Sequence, residues 1–261
     1  MKGFTLNKNK LLGFILIIII WTISYYFIGN SVILPSPIET AIAFKEIISS
    51  QNFAITIFTS LNRLIVSFLI ALFLALIFGI ISALNQWFYD LISPLVALFK
   101  IVPTMAIVIL ALIWLTNRRA PILIAVIIVF PILYEAVIKG IRDIDRNIIN
   151  MTKVYKVQQK DIVRYIYIPN IINNIGAILS STMGLCLKII IGGEVLGQPL
   201  NSIGTSIQTE KMYLNTAGVL AWIGVLLILS LLINLASKVI ICISKAIRKG
   251  LKDGQAIHKE Y

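Results

Sequence analysis

Residues 64–84 read LIVSFLIALFLALIFGIISAL, twenty-one positions without a charge. As a helix this stretch is about 31 Å long, close to the hydrocarbon thickness of a bilayer. Five further stretches repeat the pattern. Leu11–Ile28 and Ala217–Ser237 carry no charge. Leu91–Trp114 is apolar apart from Lys100 and is interrupted by Pro94 and Pro103. Ala120–Gly140 contains Glu135 and Lys139, and Ile171–Leu196 contains Lys188 and Glu194. No run of short alternating segments suggests a barrel. The pattern predicts an all-α, polytopic transmembrane helix bundle of about six spans. Composition agrees: of 261 residues 59% are hydrophobic and 13% charged, with mean hydropathy +0.95. A soluble domain of this length is about half apolar and one quarter charged.

The net charge of +12 is distributed in a way that sets orientation. Lys2, Lys8 and Lys10 precede the first span, Arg142 to Arg164 fill the segment after the fourth, and Lys245 to Lys259 follow the sixth. The positive-inside rule then puts both termini and residues 141–170 in the cytoplasm. Lys45, Arg118, Arg119 and Lys211 fall outside, and Arg63 sits near the outer end of the second span. Arg118 and Arg119 run against the rule. No basic and aromatic interleaving in a polar segment points to nucleic acid. The first apolar run follows a basic start but lacks a small-residue cleavage site, so it reads as an uncleaved span.

Three units follow: residues 1–58, a first span plus an outer interfacial helix; 59–244, a transport core; and 245–261, a basic cytoplasmic tail. The outer helix begins at Ser36, with Pro37 at its first position and Glu39 completing a capping box. Residues 197–215 are polar, with Gly197, Pro199 and Gly204, and read as an outer loop or re-entrant turn.

Catalytic chemistry is missing. The single histidine, His258, lies in the tail, and neither Cys186 nor Cys242 has metal-ligand spacing or a neighbouring base. No phosphate-cradling G-x-x-x-x-G-K-[ST] loop is present. The chain therefore reads as a transporter rather than an enzyme, with no metal or cofactor of its own. Charges in the apolar spans mark the candidate pathway or subunit interface: Lys100 beside Pro103, Lys188 and Glu194. Lys188 and Glu194 lie about 120° apart on a helix and do not pair. Glu135 and Lys139 have favourable i, i+4 spacing for a pair. Gly184, Gly192 and Gly193 suit close helix packing.

The longest polar segment between spans, 141–170, reads IRDIDRNIINMTKVYKVQQKDIVRYIYIPN. Asp145 or Asn147 can cap a helix. Ile148, Ile149, Thr152 and Tyr155 recur at helical spacing, as do Ile162, Tyr165 and Ile166 after a polar break at Gln158 and Gln159. Two short amphipathic helices suit a docking surface; a basic loop that only fixes topology is the other reading.

This segment resembles the cytoplasmic loop of permease subunits of binding-protein-dependent ABC importers, which has the form E-A-A-x3-G-x9-I-x-L-P. Ile166 and Pro169 match its end, with Ile168 for Leu. Asn150, Met151 and Thr152 stand where Glu-Ala-Ala is usual, and Lys156 stands where Gly is usual. VILPSPIET, TSLNRLIVSFLIALFLALIFG, LISPLVALFKIVPTMAIVILALIWL and KIIIGGEVLG extend the resemblance from about Val32 to Ile241, within the nitrate, sulfonate and taurine type. The resemblance implies a multi-pass protein of the bacterial cell membrane. It implies a separate ATPase holding ATP and Mg, an extracytoplasmic solute-binding protein and a second permease copy forming a homodimer. The cargo expected is a small organic or inorganic anion such as a sulfonate or nitrate, or a vitamin-like compound. A secondary transporter or channel without an ATPase is the alternative. In the resembling family the loop inserts into a cleft of the ATPase. Here docking is expected on Met151, Tyr155 and Ile162, with Lys153 and Lys156 at the rim. With Gly replaced by Lys156, the turn is expected at Gln158 and Gln159, and the second loop helix is expected to end at Pro169.

Overall fold

The computed structural model describes the backbone of residues 8–257 and the side chains of 12–13 and 15–243. The expectations placed on Lys2, Lys259 and His258 lie outside the described residues, as do the side chains of Lys8, Lys10 and the tail cations Lys245 to Lys252.

The described chain is helical throughout. In order come α1 (Lys8–Ile28), α2 (Pro37–Ser49), α3 (Phe53–Leu84), α4 (Gln86–Ile101) and α5 (Thr104–Trp114). There follow α6 (Ala120–Arg142), α7 (Arg146–Val154), α8 (Gln159–Ile162), a π turn (Val163–Tyr167), α9 (Ile168–Gly197), α10 (Ile203–Met212) and α11 (Thr216–Ile257). Four helical stretches are long and apolar enough to cross a membrane: 53–84, 120–142, 159–197 and 216–243. The second span thus begins eleven residues before its apolar stretch, at Phe53.

The third span is broken. α4 and α5 meet at 100° around Val102 and Pro103. Pro103 has no N–H to continue the α4 ladder, and its ring disfavours a helical residue before it. Val102 is accordingly extended (φ −61°, ψ 127°). Pro94 and Pro131 stay inside their helices. The bent pair still crosses. At its start, Gln86 accepts from Arg142 (3.0 Å), and the Arg142 guanidinium lies 4.2 Å from the Tyr89 ring centre. Past its end, Asn117 shares a cavity with Asn62 and Gln198. Those two groups stand at opposite ends of the bundle. The end that carries 141–170 is the cytoplasmic one by the charge rule.

α3, α6 and α9 form the centre, with α6 the most enclosed of the four spans. Lipid gives no hydrophobic drive between helices, so close packing must supply the attraction. Glycine permits it at one decisive crossing: a Cβ on Gly140 would sit 2.8 Å from the Ile171 Cα, joining the base of α6 to α9. Gly193 likewise abuts Pro121. Gly184 and Gly192, expected to pack, face open space instead. α2 starts as the sequence suggests: Ser36 Oγ accepts from the Glu39 amide (3.1 Å), and Glu39 accepts from the Ser36 amide (2.8 Å). It lies against α11. Residues 197–215, expected as a loop, hold α10, capped by Ser202.

Candidate functional site: a cytoplasmic coupling segment and two charged clusters

Asp145 caps α7, its carboxylate accepting from the Asn147 amide at 2.8 Å. The helix ends in a Schellman turn. The Lys156 amide bonds the Lys153 carbonyl (3.1 Å) and the Val157 amide bonds the Thr152 carbonyl (2.9 Å). This geometry requires a left-handed residue after the cap. Lys156 takes it, with φ 51°. The turn therefore falls at Lys156, not at Gln158 and Gln159, and the lysine adopts the conformation that a glycine would adopt without strain. Left-handed backbone costs a non-glycine residue about 1–2 kcal/mol, while glycine adds about 0.5–1 kcal/mol of entropy cost on ordering. Lys156→Gly is thus expected to stabilise the turn by roughly 0.5–1 kcal/mol. Slower hydrogen exchange at the Val157 amide is the readout, and faster exchange would contradict the strain argument.

After this turn the chain does not stop at Pro169. Residues 159–197 run as one helix. The π turn accommodates the proline: Ile168 N–H reaches the Val163 carbonyl, five residues back, in place of the regular spacing that a proline ring disturbs. The loop's second half is therefore a direct extension of α9.

The surface of α7 has a clear sidedness. Met151 (57% exposed), Val154 (77%) and Tyr155 (73%) project outward together with Ile148. Asn150, Lys153 and Lys156 are also exposed. Thr152 is buried, its hydroxyl donating to the Ile149 carbonyl at 2.7 Å. Ile162 is only 7% exposed, so it holds the segment against the body and is not available as an anchor. Ile166 and Pro169 are half-buried. Val154 is not among the residues that the sequence singles out for this face; its i, i+3 spacing from Met151 is the signal that would place it there.

At the cytoplasmic mouth, Glu135 does not pair with Lys139. Lys100 at the end of α4 reaches across to Glu135 on α6, and Lys139 lies 4.0 Å from Asp143 one turn later. The bend at Pro103 leaves α4 beside α6, and a facing cation on a neighbouring helix takes the carboxylate.

The outer end holds a buried ion pair. Glu194 is fully enclosed and accepts from Arg63 Nη1 (2.6 Å), Ser60 Oγ (2.9 Å) and the Gly204 amide (3.1 Å). Ser60 Oγ accepts in turn from the Ile203 amide (3.1 Å). The Gly204 amide in the first turn of α10 thus points at the carboxylate, where the positive end of the helix dipole favours it. A Cβ on Gly204 would lie 2.4 Å from the Glu194 Cβ, so only glycine fits. Glu194 ties α3, α9 and α10 together. Lys188 differs. It is exposed on α9, on the same face as the open Gly184 and Gly192, beside Leu187 and Ile223.

Residues 75–241 match the family described as the binding-protein-dependent transport system inner membrane component. The chain belongs to that family. The match includes residues 141–170 and α9. Two relatives are similar over most of their length. The Bacillus subtilis (strain 168) protein named "Putative aliphatic sulfonates transport permease protein SsuC" is 23% identical over 224 residues, covering 85% of this chain and 80% of the relative. The taurine transport system permease protein of Escherichia coli (strain K12) is 22% identical over 227 residues, covering 85% and 82%. The chain is therefore a multi-pass inner-membrane component of an ABC importer, a transport subunit and not an enzyme. Membership implies a binding protein and an ATPase on other chains.

Proposed function

We propose that this permease forms half of a pathway for a small sulfonate-type organic anion and is driven through residues 141–170 by a separate ATPase that binds ATP and Mg. The observation that carries the coupling is the exposed apolar face of α7 joined, through one turn, to a rod continuous with α9. A partner seated on Met151, Val154 and Tyr155 can push that rod without an intervening hinge at Pro169. The relatives' names support the sulfonate class, and binding is expected to be set largely by the partner binding protein.

We assign a second copy of the same chain to the open face of α9. A lysine left in lipid is costly, and such charges face water or a partner. Lys188 stands on that face between two glycines whose Cα atoms leave room for another helix. In a pair of copies the two lysines would line the pathway as cations suited to an anion.

The test is uptake of ethanesulfonate into vesicles holding the permease, the ATPase and the binding protein. Uptake should need ATP and the binding protein. Lys188→Leu should cut uptake several-fold while the complex still assembles. Wild-type uptake in that variant would remove Lys188 from the pathway. Uptake without the ATPase would mean a secondary transporter.

A further inference from the structure

Arg118 and Arg119 sit on the outer side, against the charge rule, and neither the coupling segment nor the span charges uses them. We infer that they form an outer receiving site for a small sulfonate anion, at the mouth of the pathway; the ligand class rests on the sulfonate reading above.

Both arginines are exposed and line a cavity of about 780 Å³ where the α5–α6 turn meets the start of α3 and the end of α9. Thr59, Asn62, Asn117 and Gln198 supply polar groups to the same walls. Ile122, Pro199 and Leu200 are the apolar residues of the lining. Among the described residues no carboxylate lines the cavity. Arg63 does, but Glu194 behind it neutralises that charge. Two uncompensated guanidinium groups remain. The neighbouring outer cavity between α2, α10 and α11 carries Glu46 and Glu210 instead, so the positive character is local. A concave wall of one charge sign concentrates counter-ions, and guanidinium forks match the paired oxygens of an oxyanion. Amides from Asn62, Asn117 and Gln198 can donate to the remaining oxygen.

The experiment uses the full chain in nanodiscs of zwitterionic lipid, in a Cys186→Ala, Cys242→Ser background with the cavity residue Thr116→Cys as reporter. The reporter is modified with 2-sulfonatoethyl methanethiosulfonate, itself a sulfonate, and with its trimethylammonium analogue. Relative to their rates with a small thiol, the anionic reagent should be favoured on the order of tenfold. Millimolar ethanesulfonate should slow it where sodium chloride of equal ionic strength does not. Arg118→Gln with Arg119→Gln should abolish both effects. Absence of a charge preference overturns the inference. So does a preference without protection by ethanesulfonate, which is a field and not a site. Protection by phosphatidylglycerol in the disc but not by ethanesulfonate would assign the arginines to a lipid headgroup and also overturn it. If protection holds while the assembled transporter imports no ethanesulfonate, the site stands and the cargo reading falls.

Discussion

Glu194→Ala should destabilise the permease by about 3–5 kcal/mol, the scale for removing one partner of a buried ion pair. Three donors converge on that carboxylate, from Arg63, Ser60 and the Gly204 amide. Removing it leaves a guanidinium with no anion, 6% exposed between helices. The loss should appear as a large fall in detergent-solubilised thermal stability and in the yield of monodisperse protein. Glu194→Gln should lie between, because an amide oxygen still accepts from Ser60 and Gly204 while the Arg63 charge is unmatched. The pair itself need not be strongly stabilising, since desolvation offsets much of its attraction. Arg63→Met with Glu194→Leu should therefore recover a large part of the loss. A single variant as stable as the parent would show that water reaches Arg63.

Much of this arrangement can be read from the chain alone, and the rest fails for specific reasons. Four of the six apolar runs give spans among the described residues, and a fifth gives the bent pair, because lipid requires about twenty such residues in a row. Ser36, Pro37 and Glu39 give α2 because a capping box is local, closed within four residues. Pro103 gives the break because a missing N–H acts where it stands. The Arg63–Glu194 pair is invisible because its partners are 131 positions apart, and only the packing of α3 on α9 brings them together. The Glu135–Lys139 expectation fails for the same reason in reverse: a good local spacing lost to Lys100 on another helix. At Lys156 residue type misleads. Propensity moves the turn to the glutamines, but the hydrogen bonds of the helix end fix a left-handed residue there, and the lysine complies. At Pro169 the π turn keeps the helix continuous where a proline suggests a boundary. Of the candidate site, the location of residues 141–170 is legible, and the outward face of α7 is partly so. Ile162 reads as amphipathic but is turned inward by the body of the protein.

The outward face of α7 carries the prediction with the widest consequence for transport. On the function proposed above, ATP is hydrolysed on another chain, so its energy must arrive by contact. Tyr155 and Val154 are the most exposed apolar side chains on α7, at 73% and 77%, with Met151 one turn back. Lys153 and Lys156 flank them and suit acidic groups at the rim of a cleft. Interface energy concentrates in a few such anchors, and an aromatic one is worth about 2 kcal/mol or more. Tyr155→Ala with Val154→Ala should therefore weaken ATPase association roughly 30-fold. Neither side chain packs into the bundle, so thermal stability of the membrane part should hold. Lys156→Gly keeps the turn and the anchors and loses one rim charge, so it should weaken association far less than the double alanine variant. The separating measurement is substrate-stimulated ATP hydrolysis in the full complex. It should collapse in the double alanine variant even at ATPase concentrations that restore association, because a loosely seated α7 no longer moves α9. Full stimulation at restored association would mean that the residues bind the partner but do not transmit its motion, and the push would then have to enter α9 by another contact.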